Sequence, residues 1–424
     1  MFLIFKKFVN IFVSAALMLL LQISVLAQDH NHSHGPGTPP HDHSAPGHTH
    51  APAANAATSG QNSQTEQHSS GEAKKAPDIS GMIMNHIGDA NEFHLWGHTS
   101  ISLPCLVYHF NHGFEFFSSG VFNHGHNSYN GYVMQHGRLY FVNDPSFQKA
   151  GSVEVHVIDE KGKKHVIANN VKYNDVDRSS FIDFSITKVV FTMLLATLLM
   201  ILIFTSIARA YKTNHVPKGL ASFFEPIIEF VRDNIVKPNI GKNYEKYMPL
   251  MLTMFFFIWI SNMLGLIPFY PGGGNVMGNI SVAFTLAFFV FLIINLSGKK
   301  AYWGHIFNPP GMPGWVKAIL VPIEILSIFI KPFALMIRLF ANIVAGHIII
   351  LSFVGIIFIL HHIGGPIAGW GTGLISAIFL LFMNALELLV AALQAYIFTM
   401  LAAVFIGQAL EEHDHHGEEQ QHAH

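Results

Sequence analysis

Between Lys331 and Glu411 the chain carries two formally charged side chains, Arg338 and Glu387, in an otherwise apolar background. An arginine placed in the middle of a bilayer costs at least about 2.5–3.5 kcal/mol on insertion scales, and such residues usually mark an ion path. Arg338 does not deprotonate at accessible pH, so it serves as a fixed positive charge rather than as a proton carrier. His347 and Glu387 can each take up and release a proton. Asn342 follows Arg338 by one helical turn. Glu324 precedes it by fourteen residues, which at 100° per residue returns it to within about 40° of the same face. Glu324, Arg338 and Asn342 can therefore line one seam.

The spacing between the two helices is informative. His347 follows Arg338 by nine residues, or roughly 13 Å of rise, and Glu387 precedes Gln394 by seven, or roughly 10 Å. In an antiparallel pair, if Arg338 and Gln394 are level, His347 and Glu387 are level too. A histidine and a glutamate facing each other could satisfy both groups and relay protons. The simpler alternative is a structural hydrogen-bonded pair accompanied by a snorkelling arginine.

The elements that must position these groups are membrane helices. Half of the 424 residues are hydrophobic and 12% are charged, against about 25% charged in soluble proteins. The expected architecture is an all-α polytopic membrane protein of about five transmembrane helices. An interfacial amphipathic helix and a small β-rich soluble domain towards the N-terminus accompany them. Val189 to Ala208 is an uncharged run of spanning length. Leu220 to Ile235 places Leu220, Phe223, Phe224, Ile227, Ile228, Val231 and Ile235 on one face, as a helix lying on the membrane would. From Tyr247 to Gly298 there is no charge, and a Pro/Gly-rich stretch at 268–278 splits the run into two spans. A break from His361 to Gly373 divides the last region into helices of about 34 and 38 residues. Each would be roughly 50 Å long, against a hydrocarbon core of about 30 Å, so they must tilt strongly or bend.

The remainder of the chain divides by composition. Residues 1–27 read as a signal peptide: Lys6 and Lys7, an apolar run, then Val25-Leu26-Ala27. An uncleaved first membrane helix is the alternative. Residues 28–79 form a polar linker expected to be disordered. Its His30, His32, His34, His41, His43, His48 and His50 could collect metal weakly or merely titrate near neutrality. Residues 80–182 carry strand signals, including Leu139–Val142 and a hairpin pairing Val153–Ile158 with His165–Ile167 across 159–164. The membrane region is 183–410, and 411–424 is an acidic, His-rich tail. Cys105 is the one cysteine, which excludes an intrachain disulfide framework and reads as a buried small hydrophobe. A formal charge of −2 argues against nucleic acid as a partner. With five spans, Arg209, Lys212, Lys218, Lys237, Lys242, Lys246, Lys299, Lys300 and Lys317 share one side. The positive-inside rule then puts the β-rich domain outside and the tail in the cytoplasm.

At the charged residues the chain resembles a known family. The run Phe329 to His347 contains Lys331-Pro332, then Arg338-Leu339-Phe340, Asn342 and Ala345-Gly346. This pattern, K-P-x₅-R-L-F-x-N-x₂-A-G, is similar to the signature of subunit a of F-type ATP synthases. Leu393-Gln394-Ala395-Tyr396-Ile397-Phe398 resembles the same family's last helix, and the likeness covers roughly 185 to 412. It implies a proton-translocating stator subunit in a bacterial inner membrane, with no nucleotide site and no cofactor of its own. Arg338 would be the essential arginine facing a ring of c subunits, Gln394 its neighbour, and Glu324 part of a cytoplasmic half-channel. The ring, a b-type peripheral stalk and the rest of the F1Fo complex would be its partners. Many bacterial members carry an acid directly after the Ala-Gly step and a histidine seven residues before the glutamine; here His347 and Glu387 stand in the reverse order.

A rival from another class is a divalent-metal transporter fed by the His-rich linker. It would require ligand clusters within the spans, such as His, Asp or Glu at i and i+4. An intramembrane protease would need a nucleophile–base pair or an H-E-x-x-H motif, and the sequence shows no such metal motif.

Overall fold

The computed structural model describes residues 88–410 apart from 97–98, 136, 148, 154, 161–162, 169–170, 174–175, 178–179, 214–218, 268–269 and 310. The expected signal peptide, the His-rich linker with its seven candidate histidines, and the tail lie outside the described residues.

The first unit is a set of short antiparallel strands. In chain order these are β1 (Glu92–Trp96), β2 (Thr99–Ser102), β3 (Pro104–His109), β4 (Gly113–Ser118), β5 (Asn127–Ser128), β6 (Tyr132–Gln135) and β7 (Arg138–Val142). They continue as β8 (Gly151–Ser152), β9 (Val155–Glu160), β10 (Lys163–Ala168), β11 (Val171–Tyr173), β12 (Val176–Asp177) and β13 (Phe181–Asp183). Three of its sheets are three-stranded, ordered β13-β3-β4, β12-β7-β6 and β11-β10-β9. Period-2 alternation accounts for the core, because Cys105, Val107 and Phe117 turn inward onto Phe122, Tyr132, Leu139 and Phe181. Cys105 is fully buried and its sulfur accepts from Asn91 Nδ2 at 3.5 Å. The β9–β10 hairpin is present, with its ladder running on to Glu160↔Lys163. That is further than the six-residue connection expected from the charged run.

Helices follow. They are α1 (Lys188–Thr213), α2 (Leu220–Phe230), a π-wound turn Val231–Val236, α3 (Lys237–Ile240), α4 (Tyr244–Leu266), α5 (Ile280–Ser297), α6 (Lys300–Phe307) and α7 (Gly314–Leu410). Among the described residues, four helical stretches are long and apolar enough to cross a membrane: Lys188–Lys212, Leu220–Leu266, Ile280–Ser297 and Gly314–Leu410. The chain is thus a largely helical polytopic membrane protein with a β-rich unit in front.

α7 departs from expectation in two ways. It begins at Gly314 and runs through Pro322 and Pro332; neighbouring helices and local adjustments make such prolines tolerable in a membrane. In place of a broad break over 361–373 the direction changes at Gly365, whose φ of 69° and ψ of −169° are non-helical. Pro366 disfavours a helical conformation for the residue before it, and glycine accepts the positive φ at no steric cost. The first limb, 314–364, is therefore some 75 Å long, well beyond the expected 50 Å.

The limbs fold back on each other, with the Phe353 and Phe379 rings meeting at a tilt of 35° and 4.2 Å between centres. The helical core joins α4 to the second limb, where Ala395, Phe398, Ala402, Ala403, Ile406 and Ala409 meet Met251, Phe256 and Ile258. Small side chains allow this close approach. Gly407 shows a similar approach to α3, because a Cβ there would fall onto the Asn239 carbonyl.

The amphipathic α2 divides its apolar face differently from expectation. Phe224, Val231 and Ile235 are buried in the bundle, whereas Leu220 and Phe223 stay exposed. Ring contacts of Phe224 with Phe204 and Phe256 draw that side inward, at 6.5 and 5.7 Å.

Candidate functional site

The two limbs of α7 bring the sequence-singled residues together as rungs of an antiparallel ladder. At one end Lys331 Nζ donates to Gln408 Oε1 at 3.3 Å and lies 5.2 Å from the centre of the Phe405 ring. In the middle Asn342 Nδ2 donates to Gln394 Oε1 at 3.0 Å. Nearer the turn, His347 Nδ1 stands 3.8 Å from Glu387 Oε1.

His347 and Glu387 are therefore level, as the spacing suggested. Arg338 and Gln394 are not: the glutamine meets Asn342, and Arg338 sits one helical turn further along the limb. The ladder is therefore offset by that turn from the register the spacing suggested.

Glu387 is enclosed. Its side chain is 5% exposed and that of His347 18%. Neither Glu387 oxygen has a hydrogen-bond partner among the described residues. Leaving a buried carboxyl group without a hydrogen bond is costly, which marks Glu387 as kept for something other than stability. Gly346 makes the room for it: a Cβ there would lie 2.9 Å from Glu387 Oε1 and 3.3 Å from its carboxyl carbon.

Arg338 is placed in the opposite manner. It is exposed on the outer surface of the first limb, where Phe333, Ala334, Ile337, Ala341 and Ala345 are exposed as well. No ion-pair or hydrogen-bond partner for it is present among the described residues. A fixed cation thus stands on an apolar, small-residue face that could receive another helix.

Glu324 is half-buried and lies fourteen residues, or about 21 Å of rise, from Arg338. It is close enough to α6 to act on Tyr302, whose phenol is pushed up by burial and then by the Glu324 charge. The structure does not bring it to the His347–Glu387 rung.

Sequence reasoning missed a further polar group from α4. Asn262 Nδ2 donates to the Ala391 carbonyl at 3.3 Å, one turn from Glu387. Asn262 Oδ1, Ser261 Oγ and Thr399 Oγ1 are buried without hydrogen-bond partners among the described residues. The signal was available, because Ser261-Asn262 is a polar step inside an uncharged run.

The family model described as ATP synthase A chain matches residues 190–407. A domain of unknown function, DUF8433, matches residues 82–172, over most of the β-rich unit. ATP synthase subunit a 2 of Chlorobaculum tepidum is 46% identical over 242 residues, covering 55% of this chain and 66% of that protein. ATP synthase subunit a of Chloroherpeton thalassium is 41% identical over 250 residues, covering 57% and 71%. That of Myxococcus xanthus is 41% identical over 246 residues, covering 56% and 77%. With half of its length matched by the family model, and with Arg338, His347, Glu387 and Gln394 all inside the match, the chain belongs to the ATP synthase A chain family.

Proposed function

We propose that this chain is the proton-translocating stator subunit of a rotary ATP synthase, with Arg338 facing a ring of c subunits. The observation that carries the reading is Arg338, exposed and unpaired among the described residues on an apolar face, two to three turns from an enclosed His347–Glu387 pair. The family match supports a membrane ion-channel subunit that performs no bond chemistry itself.

A proton enters by way of His347 and Glu387 and neutralises a carboxylate on the ring. The neutral acid passes through lipid at far lower desolvation cost than its anion. On reaching Arg338 the acid loses its proton towards Glu324, and the guanidinium stabilises the anion. The same fixed charge blocks direct leakage between the two half-channels. Asn342 and Gln394 hold the limbs in register beside the arginine. The membrane potential supplies about 2.3 kcal/mol per charge per 100 mV, so several protons are needed for each ATP.

The β-rich unit lies outside a bacterial inner membrane in this reading and residue 410 reaches the cytoplasm. The basic residues Arg209, Lys212, Lys237, Lys299, Lys300 and Lys317 at the far end support that orientation. The partners are the c-ring, a b-type stalk and the remaining F1Fo subunits. Nothing favours the metal-transporter alternative: among the described residues no three or more His, Cys, Asp or Glu side chains converge.

The test is cross-linking in the native membrane. Cysteine at the exposed Ala341 or Ala345, beside Arg338, should form disulfides with cysteines on the outer helix of the c subunit. The exposed Phe284 on α5 should not. Absence of any c-subunit adduct at 341 and 345 would contradict the placement.

A further inference from the structure

The β13-β3-β4 sheet turns one face into the core and leaves the other uncovered among the described residues. On the outer face, Leu106 stands opposite Phe116, and Tyr108 stands opposite both Phe114 and Ile182. Phe110 closes the row at 6.0 Å from Tyr108. Phe114 and Phe116 are 72% and 74% exposed. None of these six side chains carries a charge, whereas Glu115 on the intervening position turns towards Asn130 and Tyr132. A contiguous aromatic face of this kind usually marks a binding surface.

Its position says what covers it. Backbone hydrogen bonds from Phe184 N to Leu106 O and from Ile186 N to Pro104 O, at 2.8 and 3.1 Å, carry the sheet on beyond β13. They bring it to within two residues of the start of α1. The Leu106–Phe116 rung is thus level with Phe184, at most about 13 Å of chain from Lys188, and the Tyr108–Phe114 rung is about 7 Å beyond.

The unit is also held in place. Asp89 Oδ1 accepts from Val189 N at 3.2 Å, and Lys188 N donates to Ala90 O at 2.8 Å. Phe93 packs edge-on against Phe191 and Tyr270 at 5.5 and 5.4 Å. The sheet is therefore fixed beside the point where α1 enters the apolar phase. Phenylalanine, tyrosine and leucine without charge suit the headgroup–acyl boundary, where aromatic rings collect.

We propose that this sheet face lies on the bilayer, with Leu106, Phe110, Phe114 and Phe116 seated in the lipid interface around the outer end of α1. The partner is the phospholipid surface, and the face acts as a second membrane attachment for the β-rich unit besides α1. This inference does not depend on the role assigned to Arg338.

The full chain, reconstituted in phosphatidylcholine–phosphatidylglycerol vesicles, provides the test. Cysteine is introduced singly at Phe114, Phe116 and, as an exposed control elsewhere on the unit, Lys149. Each is labelled with a nitroxide; the buried Cys105 leaves the unsubstituted chain as the blank. At 114 and 116, collisions with oxygen should exceed those with a water-soluble nickel chelate several-fold, and at 149 the chelate should dominate. Chelate access at 114 and 116 equal to that at 149 would overturn the proposal. So would shielding from both reagents, which would mean that protein covers the face, whether another subunit or residues 1–87.

Discussion

His347 Nδ1 and Glu387 Oε1 face each other at 3.8 Å across the two limbs of α7, with the carboxylate the more deeply enclosed of the two. If the pair acts as one relay, removing either member strands the other in an apolar site, typically at a cost of about 1–3 kcal/mol and more for a charge. His347→Glu places two acids together and Glu387→His two imidazoles, so each single change should slow proton entry by tenfold or more. The double exchange restores one acid and one base and should recover much of the rate. Proton flux in vesicles for all four proteins decides this; a double variant worse than either single would show that the residues act separately.

Gly346 tests the same geometry without touching a titratable group. Glycine to alanine inside a helix ordinarily gains about 0.5–1 kcal/mol. Here the added methyl would lie 2.9 Å from the Glu387 carboxylate, the end of a side chain that can move aside. Gly346→Ala should therefore assemble normally and still lose several-fold in proton flux. Gly407→Ala should behave in the opposite way, losing assembly, because its methyl meets the rigid Asn239 carbonyl. Quantifying the subunit in purified membranes alongside flux separates the two.

Asp89 supplies a pH-dependent contact. Burial pushes its carboxyl above the usual range, against the lowering effect of hydrogen bonds from Thr187, Val189 and Ala90. A group raised in the folded state contributes stability that is fully present below its unfolded value of about 3.9 and is lost as pH rises through the folded value. Seating of the β-rich unit on α1 should thus tighten on mild acidification above pH 4. Asp89→Asn should flatten that dependence, and hydrogen exchange at Val189 to Phe191, measured at pH 5 and 7.5, reads it.

How much of this was legible beforehand depended on the range of the contacts involved. The level pairing of His347 with Glu387 followed from two rises along ideal helices, and the apolar spans followed from length alone. The register of Asn342 on Gln394 did not, because it depends on how buried Leu335, Leu339 and Ile343 of the first limb pack in the same core as Ala395 and Phe398 of the second, which are tertiary contacts. Spacing placed Arg338 in a seam with Glu324 and Asn342, and only the family resemblance implied that it faces a partner; its exposure on an outer face is visible once the limbs are folded. The break at Gly365 was blurred over thirteen residues because His361-His362 and the neighbouring glycines looked like a loop. Asp89 caps a helix a hundred residues away, a contact that no local pattern announces. The Ser261-Asn262 step is legible as a polar interruption of an apolar run, but it carries no charge to single it out.

The most direct measurement of the central claim is ATP-driven proton pumping in vesicles carrying Arg338→Gln in the whole complex. Glutamine keeps comparable length and polarity and removes the one fixed positive charge in the two limbs between Lys331 and residue 410. With the c-ring and stalk still present at normal amounts, pumping and proton-driven ATP synthesis should both fall below a tenth of the unsubstituted level. Arg338→Lys should largely fail as well, because an ammonium lacks the planar guanidinium fork and shifts its pKa readily. Normal coupled pumping by a fully assembled Arg338→Gln complex would contradict the assignment of Arg338 as the charge that faces the ring.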